Sequence, residues 1–328
     1  MKTGKLDPEF LKNNIFPYLG KKRSEVILRA QIGEDSAVLD FKDNLAVFSV
    51  DPITGAGENI GYLAVNVSLN DIVTNGATPI SLMFSVLLPE NIKEEEIISL
   101  IKEMHDAAVS LDVEIVGGHT EITPGLSMPI ITAFAIGKVE KDKLLKSSSS
   151  QPDDAIIITK GAGIEGTAIL ASTFSEELQT AFGSEFVERA KSYINKVSVL
   201  KEASLVRDYV NAMHDATEGG VYGGIYELSL ASGLGFVIYE DKIPILEETR
   251  KLVQYFNLNP YFLISSGTLI ITTSKKEEVL KILRENGIEG ALIGYMKKEK
   301  KMQIKKKDGV YPFKPQIRDE LWRLLERG

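Results

Sequence analysis

An alternation of strand-like and helix-like segments that stops once and then restarts is the feature that most constrains the fold of this chain. The interruption is KSSSSQPDD (146–154), a serine run followed by a proline and two aspartates, which is typical of a linker. The pattern resumes with the apolar segment AIIITK (155–160). Strands that alternate with helices in both halves predict an α/β (α+β) fold. We therefore predict two domains, residues 1–148 and 153–328, which suits a chain of 328 residues at roughly 100–200 residues per domain.

Hydrophobic periodicity and turn residues predict the individual elements. Period-two alternation over 37–51 predicts a hairpin, and helical spacing of apolar residues predicts a helix at 93–111. A further helix is predicted at 59–76, with Gly76 as its C-cap. The other predicted elements are a helix at 8–20, a strand at 80–88, a short strand VEIVGG (113–118) that runs into a glycine turn, a strand at 128–139, a strand at 155–160, helices at about 164–182, 185–193 and 198–209, a loop at 213–220, a helix to about 232, a strand at 235–243, a helix at 247–256, a strand at 268–274, a helix at 276–287, a strand–turn–strand and a C-terminal helix around Leu321.

Composition excludes several classes of function. The chain has 38 basic and 46 acidic residues, a net charge of −8, and no cysteine. Since a nucleic-acid surface normally needs a basic stripe, we expect no nucleic-acid partner. Without cysteine, these residues form no disulfide, thiolate nucleophile or zinc–thiolate site. No apolar run approaches the ~20 residues that span a bilayer, and the start of the sequence has no apolar signal region. We expect a cytoplasmic protein with no membrane partner.

Five short segments place an acidic residue beside a glycine or a short polar residue at the end of a predicted element. Magnesium prefers oxygen ligands, keeps several waters, and is usually held by one or two carboxylates together with substrate phosphates. Asp35, Asp51 and Asp71 are therefore the candidate metal ligands. A single aspartate beside a glycine is most often only a turn, so the prediction depends on the whole set. The segments are GEDSAV (33–38), SVDPIT (49–54), LNDI (69–72), GGHTE (117–121) and HDATEGG (214–220).

Neutral groups in the same segments are suited to phosphate. Asn70 and Thr120 are candidate hydrogen-bond partners of phosphate oxygens. Gly117 and Gly118 allow a ligand to approach the backbone closely, with N–H groups aimed at anions. An acidic protein can bind ATP when a divalent cation bridges the like charges.

The segment GAGIEG (161–166) matches G-x-G-x-x-G after a predicted strand and before a predicted helix. A dinucleotide site also needs a second strand ending in an acid about 20 residues on, where this sequence predicts a helix. A glycine loop around Gly163 that contacts ATP phosphates or substrate between the halves is the better hypothesis. Lys160 is a candidate neighbour, although a solvated lysine at a strand end is the commoner case.

Three further features have simple interpretations. His119 and His214 lie in the acidic segments without the ligand spacing of a zinc site, which favours neutral hydrogen-bonding histidines. The lysine run at 297–307 flanks a predicted hairpin closed by Asp308 and Gly309. A solvated edge protected by lysines is the favoured interpretation over RNA binding.

The order GEDSAV, VDP, LNDI with ATPIS, GGHTE and DATEGG resembles the PurM-like ATP-binding superfamily. This superfamily includes aminoimidazole ribonucleotide (AIR) synthetase, selenophosphate synthetase, thiamine-monophosphate kinase and the hydrogenase maturation factor HypE. The resemblance covers essentially the whole chain. LNDIVTNGATPISL and DATEGGVYGGIYELSLASGLGF are most similar to HypE.

The resemblance implies an N-terminal sheet that pairs with its copy in a homodimer to form a β-barrel, and a C-terminal α/β layered domain. It implies ATP between the halves and Mg²⁺ between carboxylates and phosphates. The implied reaction phosphorylates an amide or carbonyl oxygen, with Asp35 and Asp71 as catalytic residues. The positions that match the family motifs are Asp35, Asp51, Asn70, Asp71, Gly117, Gly118, Thr120 and Asp215.

The sequence also departs from HypE, which carries its carbamoyl group on a C-terminal cysteine. This sequence ends in LWRLLERG and contains no cysteine, so its acceptor is not its own thiol. His119 stands where relatives often have an acidic residue. We expect an ATP-dependent HypE-like enzyme acting on a small-molecule or carbamoyl-type substrate, with a metallocentre-maturation partner. The alternatives are a small-metabolite kinase resembling thiamine-monophosphate kinase and a non-catalytic dimeric maturation partner.

Overall fold

Two β-sheets organise the chain, one built from residues 26–139 and the other from residues 155–312. The structure is a computed structural model that describes residues 8–14, 26–28, 31–34, 37–54, 59–316 and 318–326. Helices pack on both sheets, which confirms the predicted mixed α/β class. No helix in these ranges is long and apolar enough to cross a membrane.

The first sheet has the strand order β1-β2-β3-β6-β4-β5. Its neighbouring strands are antiparallel except for β4 and β5, which are parallel. The elements of this half are α1 (Pro8–Asn14), β1 (Val26–Leu28), β2 (Ala37–Asp40), β3 (Leu45–Ile53), α2 (Ile60–Thr74), β4 (Thr78–Leu88), α3 (Glu94–Ser110), β5 (Glu114–Ile122) and β6 (Ile130–Val139).

Helix α2 lies between the first sheet and the second half of the chain. Its sequence, IGYLAVNVSLNDIVT, is apolar on every side, which is typical of a helix buried all round. Leu69 and Ile72 join the core of the first sheet. Val73 joins an apolar cluster with Ile157 and Met213 of the second half. This burial carries Asn70 and Asp71 into the interior.

The second sheet has the strand order β13-β12-β9-β11-β7-β10-β8. Its central strands β7 and β10 are buried on both faces. The elements of this half are β7 (Ala155–Thr159), α4 (Ile164–Thr173), α5 (Ser175–Phe182), α6 (Ser184–Lys191), α7 (Leu200–Val206), β8 (Ala212–Asp215), α8 (Gly220–Ser232), β9 (Gly235–Tyr239), α9 (Glu247–Tyr255), β10 (Leu269–Thr273), α10 (Lys276–Glu285), β11 (Gly290–Lys297), β12 (Met302–Lys306), β13 (Gly309–Pro312) and α11 (Glu320–Leu325).

Elements with strong periodicity are confirmed. The hairpin at 37–51 is β2 paired with β3, and the helices at 59–76 and 93–111 are α2 and α3. The hairpin closed by Asp308 and Gly309 is β12 paired with β13. The helix predicted at 8–20 is confirmed as far as Asn14, and its remainder lies outside the described residues.

Three local predictions are wrong, because tertiary contacts override the local pattern. VEIVGG does not end in a turn, since Gly117 and Gly118 pair with β4 in the middle of β5. The helix predicted at 164–182 breaks at Phe174, whose ring packs on Phe256 with centroids 4.9 Å apart. The loop predicted at 213–220 begins as strand β8.

The serine run at 146–154 is packed, although its composition is typical of an open linker. Ser147 and Ser150 are buried, and the hydroxyl of Ser150 lies 2.9 Å from that of Thr272 on the second sheet. Asp154 accepts hydrogen bonds from the side-chain amide of Asn211 at 2.8 and 2.9 Å. The connection between the two sheets is therefore attached to the second one.

Candidate functional site

A cavity of about 700 Å³ lies against the first sheet. Its volume falls in the range of about 300–1,000 Å³ that is usual for small-molecule sites. Glu34, Ser49, Gly118 and His119 contribute to its lining. Three of the acidic segments, 33–38, 49–54 and 117–121, therefore meet at one cavity. The rest of the lining is Ala37, Phe48, Val50, Met83, Phe84, Ser85, Phe134, Ala135 and Ile136.

Asp71 is connected to this cavity through Ser49. The Asp71 carboxylate on α2 is buried and accepts a short hydrogen bond from the Ser49 hydroxyl on β3. The Thr74 hydroxyl donates to the backbone carbonyl of Asp71 at 2.7 Å. The segment at 69–72 is thus held against the segment at 49–54.

Asp51 lies two residues beyond Ser49 on the same face of β3, since side chains along a strand alternate between its faces. Its Oδ2 atom is out of contact with solvent and has no hydrogen-bond donor. A buried carboxylate oxygen without a partner is costly, and a bound cation or water would relieve that cost. Asp35, another predicted ligand, lies outside the described residues.

Glu34 is a site residue that the sequence prediction passed over in favour of its neighbour Asp35. Burial raises the pKa of Glu34, although hydrogen bonds from the backbone of Ser147 and Ser148 and the nearby His214 oppose the rise. Its Oε1 atom is buried without a hydrogen-bond partner. Its position brings the segment at 33–38 close to the segment at 214–220.

Asn70 joins the two halves of the molecule. Its amide nitrogen donates to the carbonyl of Val197 at 2.8 Å, and its side-chain oxygen accepts from the N–H of Val199 at 2.9 Å. The residue is fully buried. The predicted contact of Asn70 with phosphate stays a prediction, whereas the observed contacts hold α2 to residues 197–199.

Lys160 is also part of this junction, so the interpretation of a solvated strand-end lysine is wrong. Its ammonium lies 2.7 Å from Glu202 Oε1. It donates to the carbonyls of Lys196 at 2.9 Å and Ser198 at 2.6 Å. Burial lowers the pKa of Lys160, and the Glu202 carboxylate opposes that shift. Residues 196–199 are therefore held from both halves.

Asp215 ends strand β8 and is buried beside His214. The Nδ1 atom of His214 lies 2.7 Å from the backbone carbonyl of Asp215. Since a carbonyl can only accept, Nδ1 carries the proton. The Nε2 atom lies 3.3 Å from Glu227 Oε2 on α8. The segment at 214–220 is thus a strand end and a turn that leads into α8, with Gly219 in a left-handed conformation.

The glycines of the segment at 117–121 lie on the edge strand β5. Gly118 has φ +151°, and a Cβ atom there would lie 2.2 Å from the carbonyl oxygen of Phe84. Gly118 and Asp51 belong to one cross-strand row, three strand spacings apart, or about 14 Å. A single chain therefore places Gly117, Gly118 and Thr120 across the sheet from the carboxylates and out of contact with them.

His119 is exposed at the mouth of the cavity. Its Nε2 atom lies 3.0 Å from Glu121 Oε2, and this contact lowers the pKa of the Glu121 carboxyl. Within the described ranges, no group of three or more His, Cys, Asp or Glu side chains is placed to hold a metal ion. A metal at this site would need phosphate oxygens or water to complete its ligands.

The loop around Gly163 is closed by the chain itself. The N–H of Gly163 donates to the Ser265 hydroxyl at 2.8 Å. The N–H groups of Ala162 and Gly166 donate to backbone carbonyls at 2.9 Å each. The whole segment is buried in the second half. Contact of Gly163 with a ligand stays a prediction, and this geometry does not favour it.

The outer face of the first sheet carries a row of exposed apolar side chains. Val50, Phe134 and Met83 are opposite one another on β3, β6 and β4. They are 52%, 44% and 42% exposed, respectively. An apolar patch of this kind on a sheet face is typical of a surface that another protein covers.

Both halves of the chain match the two domains of one protein family. The family descriptions "AIR synthase related protein, N-terminal domain" and "AIR synthase related protein, C-terminal domain" match residues 33–139 and 151–307. A Methanocaldococcus jannaschii protein named for hydrogenase expression and formation is 32% identical over 91% of this chain and 90% of its own. The carbamoyl dehydratase HypE of Rhizobium leguminosarum bv. viciae is 28% identical over 76% of this chain and 71% of its own.

Two solved structures share the fold. One is the hydrogenase maturation protein HypE in complex with ATP, with a TM-score of 0.74, 23% identity, and coverage of 88% of this chain and 90% of that one. The other is AaThiL with AMPPCP and TMP, with a TM-score of 0.73, 19% identity, and coverage of 88% and 91%. The matches span both sheets and the motifs that surround the cavity, and the chain belongs to the AIR synthase related protein family, a family of enzymes.

Proposed function

We propose that this chain binds ATP together with Mg²⁺ at the cavity of the first sheet and phosphorylates an amide or carbonyl oxygen. The observation that carries the proposal is the meeting of three acidic or glycine-containing segments at one cavity, with Asp71 joined to it through Ser49. Relatives of this chain include carbamoyl dehydratases, and one structural neighbour was solved with ATP. The proposed reaction is therefore of the HypE type.

Asp51 and Asp71 are the described residues that fit a magnesium ion, with Asp35 added from the sequence. The fit rests on the buried Oδ2 atom of Asp51, which lacks a donor. Carboxylate oxygens are the ligands that Mg²⁺ prefers. When bound, the ion supplies neutralisation of the phosphate charge. The buried oxygen of Glu34 is a further acceptor at the same cavity, for the ion or for its water ligands.

The role of the surrounding residues is to hold Asp71 in one orientation. The Ser49 hydroxyl donates to its carboxylate, and Asn70 anchors the adjacent turn of α2 to residues 197–199. Phosphoryl transfer depends mostly on positioning and charge neutralisation. A carboxylate fixed by contacts from both halves suits that requirement.

The acceptor is proposed to lie outside this chain. None of these 328 residues is a cysteine, so none of them supplies a thiol that could carry a carbamoyl group. Relatives named for hydrogenase expression and formation make a metallocentre-maturation protein the proposed partner. The same absence favours a second candidate, a small-metabolite kinase with a free acceptor, and AaThiL has the same fold.

The chain is proposed to work as a homodimer through the outer face of the first sheet. The row of Val50, Phe134 and Met83 lies on that face, and all three residues also line the cavity. A second copy placed there would cover the apolar row. It would also bring its own β5, which carries Gly117 and Gly118, near the carboxylates of the first copy. Within one chain, Gly118 and Asp51 lie about 14 Å apart.

The direct test is ATP turnover by the variant Asp71→Ala in the presence of Mg²⁺. We expect a loss of at least about 100-fold, since the variant removes a carboxylate at the reaction centre. Asp40→Asn is the matched control, because Asp40 is an aspartate of the same sheet whose carboxylate is bonded to Lys141 at 2.8 Å. Normal turnover by Asp71→Ala would remove Asp71 from the mechanism.

A further inference from the structure

The C-terminal segment 318–326 returns to the turn that precedes α8. Asp319 is 1% exposed. Its Oδ2 atom accepts from the N–H of Gly219 at 2.7 Å, and its Oδ1 atom accepts from the N–H of Leu321 at 2.8 Å. A third hydrogen bond comes from the backbone of Ile264. One buried carboxylate therefore connects the C-terminal helix, the turn at 214–220 and the segment at 263–266.

The contact with Gly219 exceeds what the cap of α11 requires. A helix N-cap needs one side-chain oxygen, and serine or threonine supplies it as well as aspartate does. A carboxylate buried away from water is costly unless its oxygens are hydrogen-bonded. The second oxygen of Asp319 is bonded 100 residues away in sequence, which indicates that the carboxylate serves the turn.

The turn itself fits closely into its surroundings. Gly219 has φ +89°, and a Cβ atom on Gly220 would lie 2.6 Å from the carbonyl oxygen of Leu263. The N–H of Ala216 donates to the carbonyl of Thr268 at 2.9 Å. The turn is thus attached at its start and at its end, and Asp319 provides the attachment at its end.

We propose that Asp319 is a positioning residue, which fixes the turn at 214–220 through Gly219 and so sets the placement of Asp215 for the nucleotide. The proposal deepens the proposed function and rests on it, because Asp215 is assigned to ATP by its match to the family motif. Asp319 acts through the backbone of the turn and is not itself a catalytic residue.

The charge on Asp319 makes the attachment sensitive to pH. Burial raises the pKa of Asp319 to about 7, the three backbone N–H groups oppose the rise, and the Glu218 carboxylate on the turn adds to it. Below about pH 7 Asp319 takes up a proton, and its bonds to N–H groups weaken because a charged acceptor is the stronger one. The elements that contact Asp319 carry further charged groups, namely Glu165 of α4, which bonds Ser266, and Arg318, Glu320 and Arg323 of its own segment.

The C-terminal segment has attachments that do not involve the turn. Leu321 belongs to an apolar cluster of the second half. Glu320 accepts from the N–H of Asn259 at 3.1 Å, and Arg323 donates to the carbonyl of Asn257 at 2.7 Å. Loss of the bond to Gly219 is therefore expected to loosen the turn and leave α11 in place.

The test is amide hydrogen exchange of the nucleotide-free protein. Asp319→Ser keeps an N-cap oxygen for Leu321 but cannot reach Gly219. Exchange at residues 217–221 is expected to rise about tenfold, the effect of losing one charge-assisted hydrogen bond. Exchange at Ile264, whose N–H also donates to Asp319, is expected to rise as well, and exchange in the first sheet is expected to stay unchanged. Glu320→Gln is the control, because Glu320 holds the same segment without touching the turn.

Two further readouts separate positioning from a general loss of structure. We compare protection factors, which are exchange rates corrected for the intrinsic effect of pH. In the wild type the protection factors of 217–221 are expected to fall as the pH is lowered from 8 to 6, and in Asp319→Ser they are expected not to change. The KM for ATP is expected to rise in that variant with little change in kcat. Asp319→Asn, which retains one acceptor oxygen, replaces Asp319→Ser if the latter does not fold.

Unchanged exchange at 217–221 in a folded Asp319 variant would overturn the proposal, as would an equal rise in Glu320→Gln. Faster exchange at the turn together with an unchanged KM for ATP would show that the turn does not position Asp215 for the nucleotide. Faster exchange in a protein whose wild type binds no ATP would support the attachment and defeat the proposed function, so the two failures are distinguishable.

Discussion

The cavity of the first sheet and the glycine loop of the second half look similar in sequence and differ in structure. Glu34, which lines the cavity, and Asp51, two residues beyond the lining residue Ser49, each keep a buried carboxylate oxygen without a donor. In the loop at 161–166, the N–H groups of Ala162, Gly163 and Gly166 are all bonded within the chain. Glycines and acids therefore do not mark a ligand site by themselves. Unused donors and acceptors do, because a buried polar atom is normally paired.

The carboxylate of Asp319 is a third case, since it is buried with all its hydrogen bonds made within the chain. It gives the largest expected effect on the free energy of unfolding. Its pKa is about 7 in the folded chain and about 3.9 when unfolded. The folded state therefore binds more protons between these values, and the group stabilises the fold below about pH 4 and loses that contribution as the pH rises to 7. At about 1.4 kcal/mol per pKa unit the loss approaches 4 kcal/mol.

Urea unfolding of the wild type and Asp319→Ser at pH 5 and pH 8 measures this effect. The stability advantage of the wild type is expected to be larger at pH 5 than at pH 8. An advantage that grows with pH would show that the charged form is the better one in the fold, contrary to the account.

Asp51→Ala tests whether the donor-less carboxylate oxygen of Asp51 serves the nucleotide. Removal of a carboxylate that faces the proposed Mg²⁺ is expected to weaken Mg²⁺-dependent ATP binding about 100-fold, or about 2.7 kcal/mol. The free energy of unfolding is expected to change little, because the carboxylate has an oxygen without a donor in the free protein. Titration calorimetry at fixed Mg²⁺ measures the affinity, with the exposed Asp43→Ala as the control. Undiminished affinity would mean that the open oxygen of Asp51 does not serve ATP.

Gly166→Ala tests the glycine loop at 161–166, whose N–H groups are bonded within the chain. Its expected effect on stability is smaller. A Cβ atom there would lie 2.5 Å from Cγ of Leu263, and overpacking of this kind costs about 1–3 kcal/mol. Thermal unfolding is expected to show that loss, whereas the folded fraction binds ATP with unchanged affinity. A variant of normal stability that binds ATP tenfold more weakly would reverse the assignment of this loop.

Sequence patterns predict those parts of this molecule that depend on near neighbours. The hairpin at 37–51 follows from its alternation, and helix α2 follows from its sequence and the C-cap Gly76. Asp51 and Asp71 were predicted from their place beside short polar residues at the ends of predicted elements. The partners of Asn70 lie 127 and 129 residues away, and no local pattern encodes them. Glu34 was not predicted, because the next residue is also acidic and was chosen instead. The donor-less oxygen that distinguishes Glu34 arises only in the folded chain.

Other errors have the same origin. Gly117 and Gly118 have the composition of a turn, yet pairing with β4 draws them into a strand. Lys160 looks like a solvated strand end until the fold brings Glu202 beside it. Ser147 and Ser150 look like a linker until the second sheet covers them. In each case a contact distant in sequence decides the outcome.

Photolabelling with 8-azido-ATP and Mg²⁺, followed by peptide mapping, locates the bound nucleotide. Label is expected in peptides from 37–54 or 114–122, which contribute to the lining of the cavity of the first sheet, and is expected to disappear when Mg²⁺ is removed. Label confined to the loop at 161–166, or labelling that is indifferent to Mg²⁺, would contradict the proposed binding of ATP and Mg²⁺ at that cavity.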